Sequence, residues 1–287
     1  MILIADSGST KTDWRSIDGE KKIHQYVTKG LNPYFITGKE MENELNKKLL
    51  PPLKKAVGNF KGEIFFYGSG CAAEKKKKII QQSLGLLFPD CKINIHTDLL
   101  GAARALCGNK EGIASILGTG SNSCFYDGNA ITEQSASLGF ILGDEGSGAH
   151  IGKTFISALL NKELSTPLEK NFFDRYKTDR DKILHEVYKE PFPNRYLASF
   201  SKFVFQNIKD QQLHDMVANC FRAFFDKQIL KLKPSANSGR VTTFNCSGSV
   251  GFYFSNILRR IAEEKNVPIG QIIESPIAAL TLYHLGE

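Results

Sequence analysis

Three short turns rich in glycine and hydroxyl-bearing residues each follow an apolar stretch of the sequence. Their members are Asp6, Gly8, Ser9, Thr10 and Lys11 in the first turn, Gly118, Thr119, Gly120 and Ser121 in the second, and Gly248 and Ser249 in the third. Glycine lets the backbone come close to a ligand, and successive backbone N–H groups form a concave anion-binding surface. One such turn could be an ordinary hairpin, but three together indicate phosphate binding.

Acidic residues stand where predicted strands end. Asp6 ends the first strand inside the first turn, where a hydrated Mg²⁺ could bind. Asp98 follows another strand and opens a helix, whose dipole favours an ionised carboxylate. Asp144 lies in the tight loop 143–148. Alone, Asp98 could be only a helix N-cap, but beside phosphate-type turns it is a candidate general base.

Two other glycine motifs leave alternatives open. Residues 147–154 nearly fit the P-loop pattern, but Ser147 replaces its first glycine and no clear strand precedes it. Residues 68–73 fit the dinucleotide pattern G-x-G-x-x-[GA]. The motif starts deep in the chain, however, and Asp98, the first acid past the next strand, lies further from it than the roughly 20 residues of a dinucleotide site. Both are weak signals.

The elements that carry these turns occur twice in the same order. The first half predicts strands 2–5, 12–17 and 22–27, with Asp18-Gly19 turning between the last two. The second half predicts strands 112–117, 122–126 and 130–133, with Asp127-Gly128 at the corresponding turn. Because both halves read as strand, small polar turn, strand, Asp-Gly, strand, we interpret them as an internal repeat and a duplicated domain.

Alternating strands and helices fill the rest of the chain and indicate an α/β protein. Apolar spacing predicts a helix over 39–57 interrupted at Pro51-Pro52, strand 63–67, helix 74–87, strand 92–96, helix 98–106, one helical face over 196–204, another over 213–224, strand 241–245 and a helix through 257–261. Ser275 as cap and Pro276 at the first position predict the start of a last helix, which ends at 285.

Composition and charge exclude several classes of protein. The chain of 287 residues is 41% hydrophobic and 23% charged, which excludes a disordered or collagen-like chain. Its length corresponds to about two domains. Six scattered cysteines, the missing signal-peptide pattern and the absence of an 18-residue apolar run predict a cytoplasmic protein without a membrane partner. The net charge is +7, but the Lys75–Lys78 run opens a helical pattern, so we expect a solvated face and no nucleic-acid partner.

Four motifs together resemble a known superfamily. They are D-S-G-S-T-K-T-D at 6–13, G-T-G-S-N-S at 118–123, G-D-E-G-S-G at 143–148 and S-G-S-V-G at 247–251. In this order they resemble the acetate/sugar kinase, heat-shock ATPase and actin superfamily, and within it N-acetylglucosamine kinases and BadF/BadG-type ATPases. The resemblance covers nearly the whole chain. It implies two actin-like (ribonuclease H-like) domains, 1–107 and 108–274, each a mixed sheet flanked by helices, with ATP in the cleft between them; the C-terminal helix 275–287 could join the first.

The resemblance also implies a role for each candidate residue. The first turn would match the first phosphate motif, with Asp6 organising Mg²⁺ through water, and the second and third turns would match the second phosphate motif and the adenosine motif. Asp98 would be the base that takes the proton from a sugar 6-hydroxyl. Asn32 matches the sugar-binding Asn of the kinases, and Ser137, Leu138, Gly139 and Asp144 match their second sugar-contacting segment. The implied activity is ATP-dependent phosphorylation of an amino sugar, N-acetylglucosamine first, at its 6-hydroxyl.

Several alternatives stay open at this point. Animal-type kinases carry aromatic and His residues where this chain has S-L-G-F-I-L at 137–142, so a preference for an acetamido sugar stays open. Kinases for glucosamine or N-acetylmuramic acid are the nearest enzyme rivals. A BadF/BadG-type ATPase that activates or regulates a partner protein is the rival of another class, although no Cys pair suits an iron–sulfur cluster. Asn32 could instead only cap a turn before Pro33. A homodimer is also left open.

Overall fold

The computed structural model describes residues 1–8, 10–232 and 242–286, which fall into two compact units. The first unit comprises residues 1–108 and 276–286, and the second comprises residues 109–275. Each contains a mixed sheet flanked by helices, which confirms the predicted fold class. Ser9 of the first turn and position 241 of a predicted strand lie outside the described residues.

The first unit is built on a five-stranded sheet. Its elements are β1 (Ile2–Ser7), β2 (Lys11–Ile17), β3 (Ile23–Lys29), α1 (Gly38–Lys48), α2 (Leu50–Val57), β4 (Glu63–Gly68), α3 (Glu74–Leu87), β5 (Lys92–Thr97), α4 (Asp98–Cys107) and, from the end of the chain, α14 (Ile277–Leu285). The strand order is β3-β2-β1-β4-β5, with β4 and β5 parallel to β1. The carboxyl ends of β1, β4 and β5 therefore lie at one edge of the sheet.

Local sequence explains how the helices of this unit begin. Thr37 caps α1 in a capping box with Glu40, which satisfies two backbone N–H groups that the helix leaves without partners. The predicted helix 39–57 is interrupted as expected, because α2 starts at Leu50 and takes the two prolines into its first turn. Proline is tolerated there since those N–H groups have no partner inside the helix.

The second unit repeats the sheet of the first. Its elements are β6 (Gly112–Leu117), β7 (Ser121–Tyr126), β8 (Ile131–Gln134), α5 (Gly139–Leu142), α6 (Gly148–Leu160), α7 (Thr166–Tyr176), α8 (Arg180–Tyr188), α9 (Pro193–Ser199), α10 (Ser201–Gln206), α11 (Gln211–Lys227), β9 (Phe244–Ser247), α12 (Ser249–Tyr253), α13 (Ser255–Glu264) and β10 (Ile269–Ile273). The strand order, given from the opposite edge, is β8-β7-β6-β9-β10, which matches the order β3-β2-β1-β4-β5 of the first unit strand by strand. The internal repeat is thus visible in the pairing of the strands.

Several predicted bounds are wrong in this unit. The helical face over 196–204 belongs to two helices that meet at Phe200. Its apolar residues are buried as expected, except that Tyr196 is only half-buried. The predicted strand 241–245 is β9, which runs on to Ser247, so the third turn begins only at Gly248. β10 was not predicted, because it is short and includes Gly270 and a polar residue.

The start of the last helix also differs from its prediction. Pro276, not Ser275, occupies the N-cap position of α14. The helix packs against α4 and β1 of the first unit. None of the helices in the described residues has both the length and the apolarity that crossing a membrane requires.

Candidate active site

Two carboxylates lie at the same edge of the first sheet. Asp6 of β1 pairs in register with Tyr67 of β4, which pairs with His96 of β5. Asp98 follows two residues later as the first residue of α4. Because the three strands are parallel, Asp6 and Asp98 come close enough for the charge of one to raise the pKa of the other.

The Asp98 carboxylate is held by donors on two elements. It accepts from the backbone N–H of Leu99 at 2.9 Å and from the hydroxyl of Ser69, just beyond β4. Burial raises the pKa of Asp98, and these two hydrogen bonds oppose the shift. The cap of α4 is Thr97, whose hydroxyl accepts from the N–H of Leu100 at 3.2 Å. The interpretation of Asp98 as only an N-cap is therefore wrong.

A third carboxylate, besides Asp6 and Asp98, lies in β2 just after the first turn, and the sequence analysis missed it. Asp13 of β2 lies directly opposite Asp6, and opposite residues of antiparallel strands share a face of the sheet. Burial, then Asp98, then Asp13 raise the pKa of Asp6 to about 7, and Lys11 opposes them. Lys11 Nζ contacts Asp13 Oδ2 at 2.8 Å. Asp13 is the last residue of the motif D-S-G-S-T-K-T-D, so the motif itself could have indicated this third carboxylate.

The first turn is closed by backbone and hydroxyl contacts. The N–H of Gly8 donates to the carbonyl of Lys11 at 3.0 Å. The hydroxyls of Ser7 and Thr12 lie 2.8 Å apart across the hairpin. The carbonyl of Thr10 accepts from the N–H of Gly30 at 3.0 Å, which ties the turn to the loop after β3.

Asn32 stands in that loop, close to the end of β4. It is only 7% exposed, and its Oδ1 accepts from the N–H of Tyr34 at 3.0 Å. Part of its amide therefore stabilises a turn around Pro33, as the simpler interpretation expected. Gly70 has φ +82°, and a Cβ there would fall 2.5 Å from Asn32 Oδ1. Packing against Asn32 accounts for this glycine, which weakens the dinucleotide alternative.

In the second unit, the hairpin from Gly118 to Ser121 is tied to the start of α6. The carbonyls of Gly118 and Thr119 accept from the N–H groups of Gly148 and Ala149 at 2.8 and 3.0 Å. A Cβ at Gly118 would meet no atom within 4 Å, so one side of this turn is open to a ligand in the described structure.

Asp144 supports the same hairpin. Its Oδ1 accepts from the N–H of Ser121 at 3.3 Å, and a Cβ at Gly120 would lie 3.0 Å from its Oδ2. Burial raises the pKa of Asp144, and the hydrogen bond from Ser121 opposes the shift. The structure thus brings the second turn and the acidic loop together.

The third turn lies against the second. Gly248 has φ +116°, and a Cβ there would fall 2.3 Å from the carbonyl oxygen of Leu117, the residue before the second turn. Only glycine fits this approach. Ser249 opens α12 directly after it.

The segment 137–142 lies next to the Asp144 loop. A Cβ at Gly143 would lie 3.0 Å from Cβ of Leu138, so Leu138 stands next to the start of the Asp144 loop. Gly139 has φ +72° and opens α5, whose Ile141 and Leu142 are exposed. The P-loop alternative is wrong, because α6 already begins at Gly148, so residues 148–151 are helical where a P-loop would have its phosphate-binding loop.

Comparison with known proteins agrees with this geometry. No family model matches the chain. The solved structure of the proposed N-acetylglucosamine kinase of Porphyromonas gingivalis is 37% identical, covers 100% of this chain and 99% of its own, and superposes with a TM-score of 0.92. A curated N-acetylmuramic acid/N-acetylglucosamine kinase of Clostridium acetobutylicum is 27% identical over 211 residues, which is 71% of this chain and 69% of the relative.

A more distant structure shows how widely the fold is shared. A ROK family glucokinase of Streptomyces griseus, in complex with glucose and AMPPNP, is 13% identical with a TM-score of 0.58 over 98% of this chain and 97% of its own. Such a likeness shows the fold alone, whereas the identity over the full length of the Porphyromonas protein shows the family. The chain belongs to the N-acetylglucosamine kinase family, which has the actin-like ATPase fold.

Proposed function

We propose that this protein is an ATP-dependent kinase that phosphorylates the 6-hydroxyl of an amino sugar, with N-acetylglucosamine as the first candidate. One observation carries the proposal: the Asp98 carboxylate, whose pKa burial raises, lies at the sheet edge that also carries the phosphate-type turn after Asp6. A base works best when its pKa lies near the working pH, so a raised pKa suits a carboxylate that takes a proton from a hydroxyl. Family membership supports the same activity.

Each turn has a part in holding ATP under this proposal. Gly8, Thr10, Lys11 and Ser9 would bind phosphate in the first unit, and the hairpin from Gly118 to Ser121 would hold the β- and γ-phosphates in the second. Gly248 and Ser249 would contact the adenosine. Phosphoryl transfer needs alignment and neutralisation of phosphate charge more than covalent chemistry, and oriented backbone N–H groups provide both. The AMPPNP bound to the glucokinase of the same fold supports this use of ATP.

The donor set in the first unit fits a hydrated Mg²⁺. Asp6 and Asp13 present carboxylates beside the phosphate-type turn, and within the described residues no group of three His, Cys, Asp or Glu side chains could enclose a metal alone. Mg²⁺ keeps several waters and takes one or two carboxylates together with substrate phosphates. Asp6 would hold it through water, and the ion would supply charge neutralisation at the phosphates.

Asn32 is the proposed sugar contact of the first unit, and residues 137–139 with Asp144 are those of the second. An Asn amide can donate to one sugar oxygen and accept from a neighbouring hydroxyl. The Clostridium relative is named for both N-acetylmuramic acid and N-acetylglucosamine, so a panel of sugars is needed.

The decisive experiment is an ADP-release assay with Mg²⁺–ATP and a panel of N-acetylglucosamine, N-acetylmuramic acid, glucosamine and glucose. We expect little ADP without sugar, strong stimulation by one amino sugar, and a 6-phosphate product by ³¹P NMR. ADP release that no sugar stimulates would overturn the kinase and favour the BadF/BadG-type ATPase.

The remaining expectations concern partners. We propose that the partners are ATP and the sugar, without nucleic acid or membrane, in the cytoplasm. Whether the chain forms a homodimer can be measured by light scattering.

A further inference from the structure

A buried amide lies behind the second phosphate-type turn. Gln228 directly follows α11 and is 4% exposed. Its Nε2 donates to Ser121 Oγ at 2.8 Å and to Glu145 Oε2 at 3.4 Å. Its Oε1 accepts from the hydroxyls of Ser123 at 3.1 Å and Ser135 at 3.3 Å. A Gln side chain has two donor hydrogens and two acceptor lone pairs, so this amide is fully used.

These bonds link parts of the second unit that are distant in sequence. Ser121 belongs to the turn, and its backbone N–H binds the Asp144 carboxylate. Glu145 also pairs with Lys227 Nζ at 3.1 Å, so both residues at the end of α11 hold the acidic loop. Gln228 therefore fixes the turn and the acidic loop to the same helix end.

The charge of the network favours this arrangement. Burial would raise the pKa of Glu145, but hydrogen bonds from its own backbone N–H, from Lys227 and from Gln228 outweigh it and hold the pKa below its usual value. Glu145 is thus a carboxylate that accepts from the Gln228 amide. A buried network whose members are all satisfied is rigid, whereas removing one member leaves the others without partners.

We propose that Gln228 is a positioning residue that holds the hairpin from Gly118 to Ser121 and the Asp144 loop in the arrangement that binds nucleotide phosphates. The inference rests on the proposed function. Gln228 binds the hydroxyl of Ser121 directly and the Asp144 loop only through Glu145. Its loss is therefore expected to weaken nucleotide binding more than sugar binding, which Asn32 in the first unit shares with Asp144.

The test is the substitution Gln228→Met, which keeps the length of the side chain and removes both polar groups. Phe172→Leu is the control. Phe172 is fully buried in the aromatic core of the same unit, so its substitution lowers the stability of the unit without removing any contact of the network. Kd for AMPPNP with Mg²⁺ and Kd for the sugar are measured by calorimetry in both variants and the wild type. We expect Gln228→Met to raise Kd for the nucleotide about 10-fold and Kd for the sugar by a smaller factor.

Each result decides something different. Equal nucleotide Kd in Gln228→Met and Phe172→Leu would overturn the positioning role while leaving the kinase intact. A wild type that binds no nucleotide would overturn the proposed function and this inference with it. If Gln228→Met does not fold, Gln228→Glu keeps an acceptor for Ser123 and Ser135 but faces Glu145 with a second carboxylate. Unchanged nucleotide binding in folded Gln228→Glu would equally overturn the inference.

Discussion

Strand β1 of the first unit carries Asp6 near its end, whereas β6, which has the same place in the second sheet, contains no acidic residue. Both units have an acidic residue after the fifth strand of the sheet, but its surroundings differ. Asp98 follows β5 and is held by two donors, while Glu274 follows β10, is exposed and accepts from the hydroxyl of Tyr253 at 3.0 Å. Both units keep a glycine-rich turn after the first strand. The repeat thus preserves the glycine-rich turn, whereas the acidic residues at the strand ends differ between the two units.

The two turns are also anchored in different ways. The first is closed within the β1–β2–β3 region, since Ser7 Oγ contacts Thr12 Oγ1 at 2.8 Å and accepts from the N–H of Leu31, just after β3, at 3.2 Å. The second is tied to the start of α6 and to Asp144, and its Ser121 also binds Gln228, 107 residues further along the chain. Local contacts form whenever the hairpin forms, whereas the contact with Gln228 forms only when the end of α11 lies against the turn.

The largest expected effect concerns Asp98, the acidic residue that follows the fifth strand of the first sheet. Asp98→Asn keeps the shape of the side chain and removes the proton acceptor, so we expect turnover to fall by roughly 10²–10⁴-fold with Kd for nucleotide nearly unchanged. Steady-state ADP release and calorimetry measure the two quantities. Glu274→Gln is the matched control at the corresponding place in the second unit, and we expect it to keep nearly full activity. Retention of most activity in Asp98→Asn would remove it from the mechanism.

A second prediction tests the glycine-rich turn that both units share. Gly118→Val points a branched side chain into space that is open in the protein, so the fold should be kept while phosphate is blocked. We expect the rise in melting temperature that Mg²⁺ and AMPPNP cause in the wild type to disappear. Gly85→Val in α3, where a Cβ also meets nothing within 4 Å, is the control and should retain the rise. A full rise in Gly118→Val would argue against the second turn as a phosphate site.

A third prediction separates the two parts that Asn32 can play. Asn32→Asp keeps the acceptor for the N–H of Tyr34 and loses the amide donor, whereas Asn32→Ala loses both. We expect both variants to lose about 1–3 kcal/mol of sugar binding free energy, with Kd for ATP nearly unchanged. Asn32→Ala also loses melting temperature, because the N–H of Tyr34 loses its acceptor. If Asn32→Asp binds sugar like the wild type, Asn32 acts only in the turn.

The smallest expected effect is a dependence of stability on pH that belongs to the first unit. Tyr67 Oη lies 2.9 Å from His284 Nε2 and accepts from Arg104 Nη1 at 2.8 Å, while the ring of His96 stacks on Tyr67. Burial first, and then the charge of Arg104, lower the pKa of both histidines to about 4.

The sign follows from proton binding. Between pH about 6.5 and about 4 the unfolded chain binds protons that these folded histidines exclude, so the free energy of unfolding falls as the pH falls. The raised pKa of Asp6 acts in the opposite direction, so the measurement is a comparison of variants. We expect His284→Gln to lose less melting temperature than the wild type between about pH 7 and about pH 4.5. Parallel curves would show that His284 does not contribute.

Local pattern was enough to predict a large part of this protein. Helix α3 (Glu74–Leu87) and strand β6 (Gly112–Leu117) have the predicted bounds, because apolar spacing and flanking turn residues are local properties of the chain. The repeated order of strands and turns predicted two similar sheets, and the four motifs pointed to the family. Which acids stand at strand ends was also readable, since a strand end is marked by the turn that follows it.

Tertiary structure alone decided which of these residues support one another. Asp13 opposes Asp6 only through the register of β1 and β2, and Gly70 is a glycine because Asn32 occupies the space beside it. Gln228 had no signal in the sequence, since a polar residue after a helix is usually exposed. Its amide lies against Ser121 at the start of β7 and Glu145 of the acidic loop, and contacts between residues so far apart in the chain exist only once the whole unit has folded.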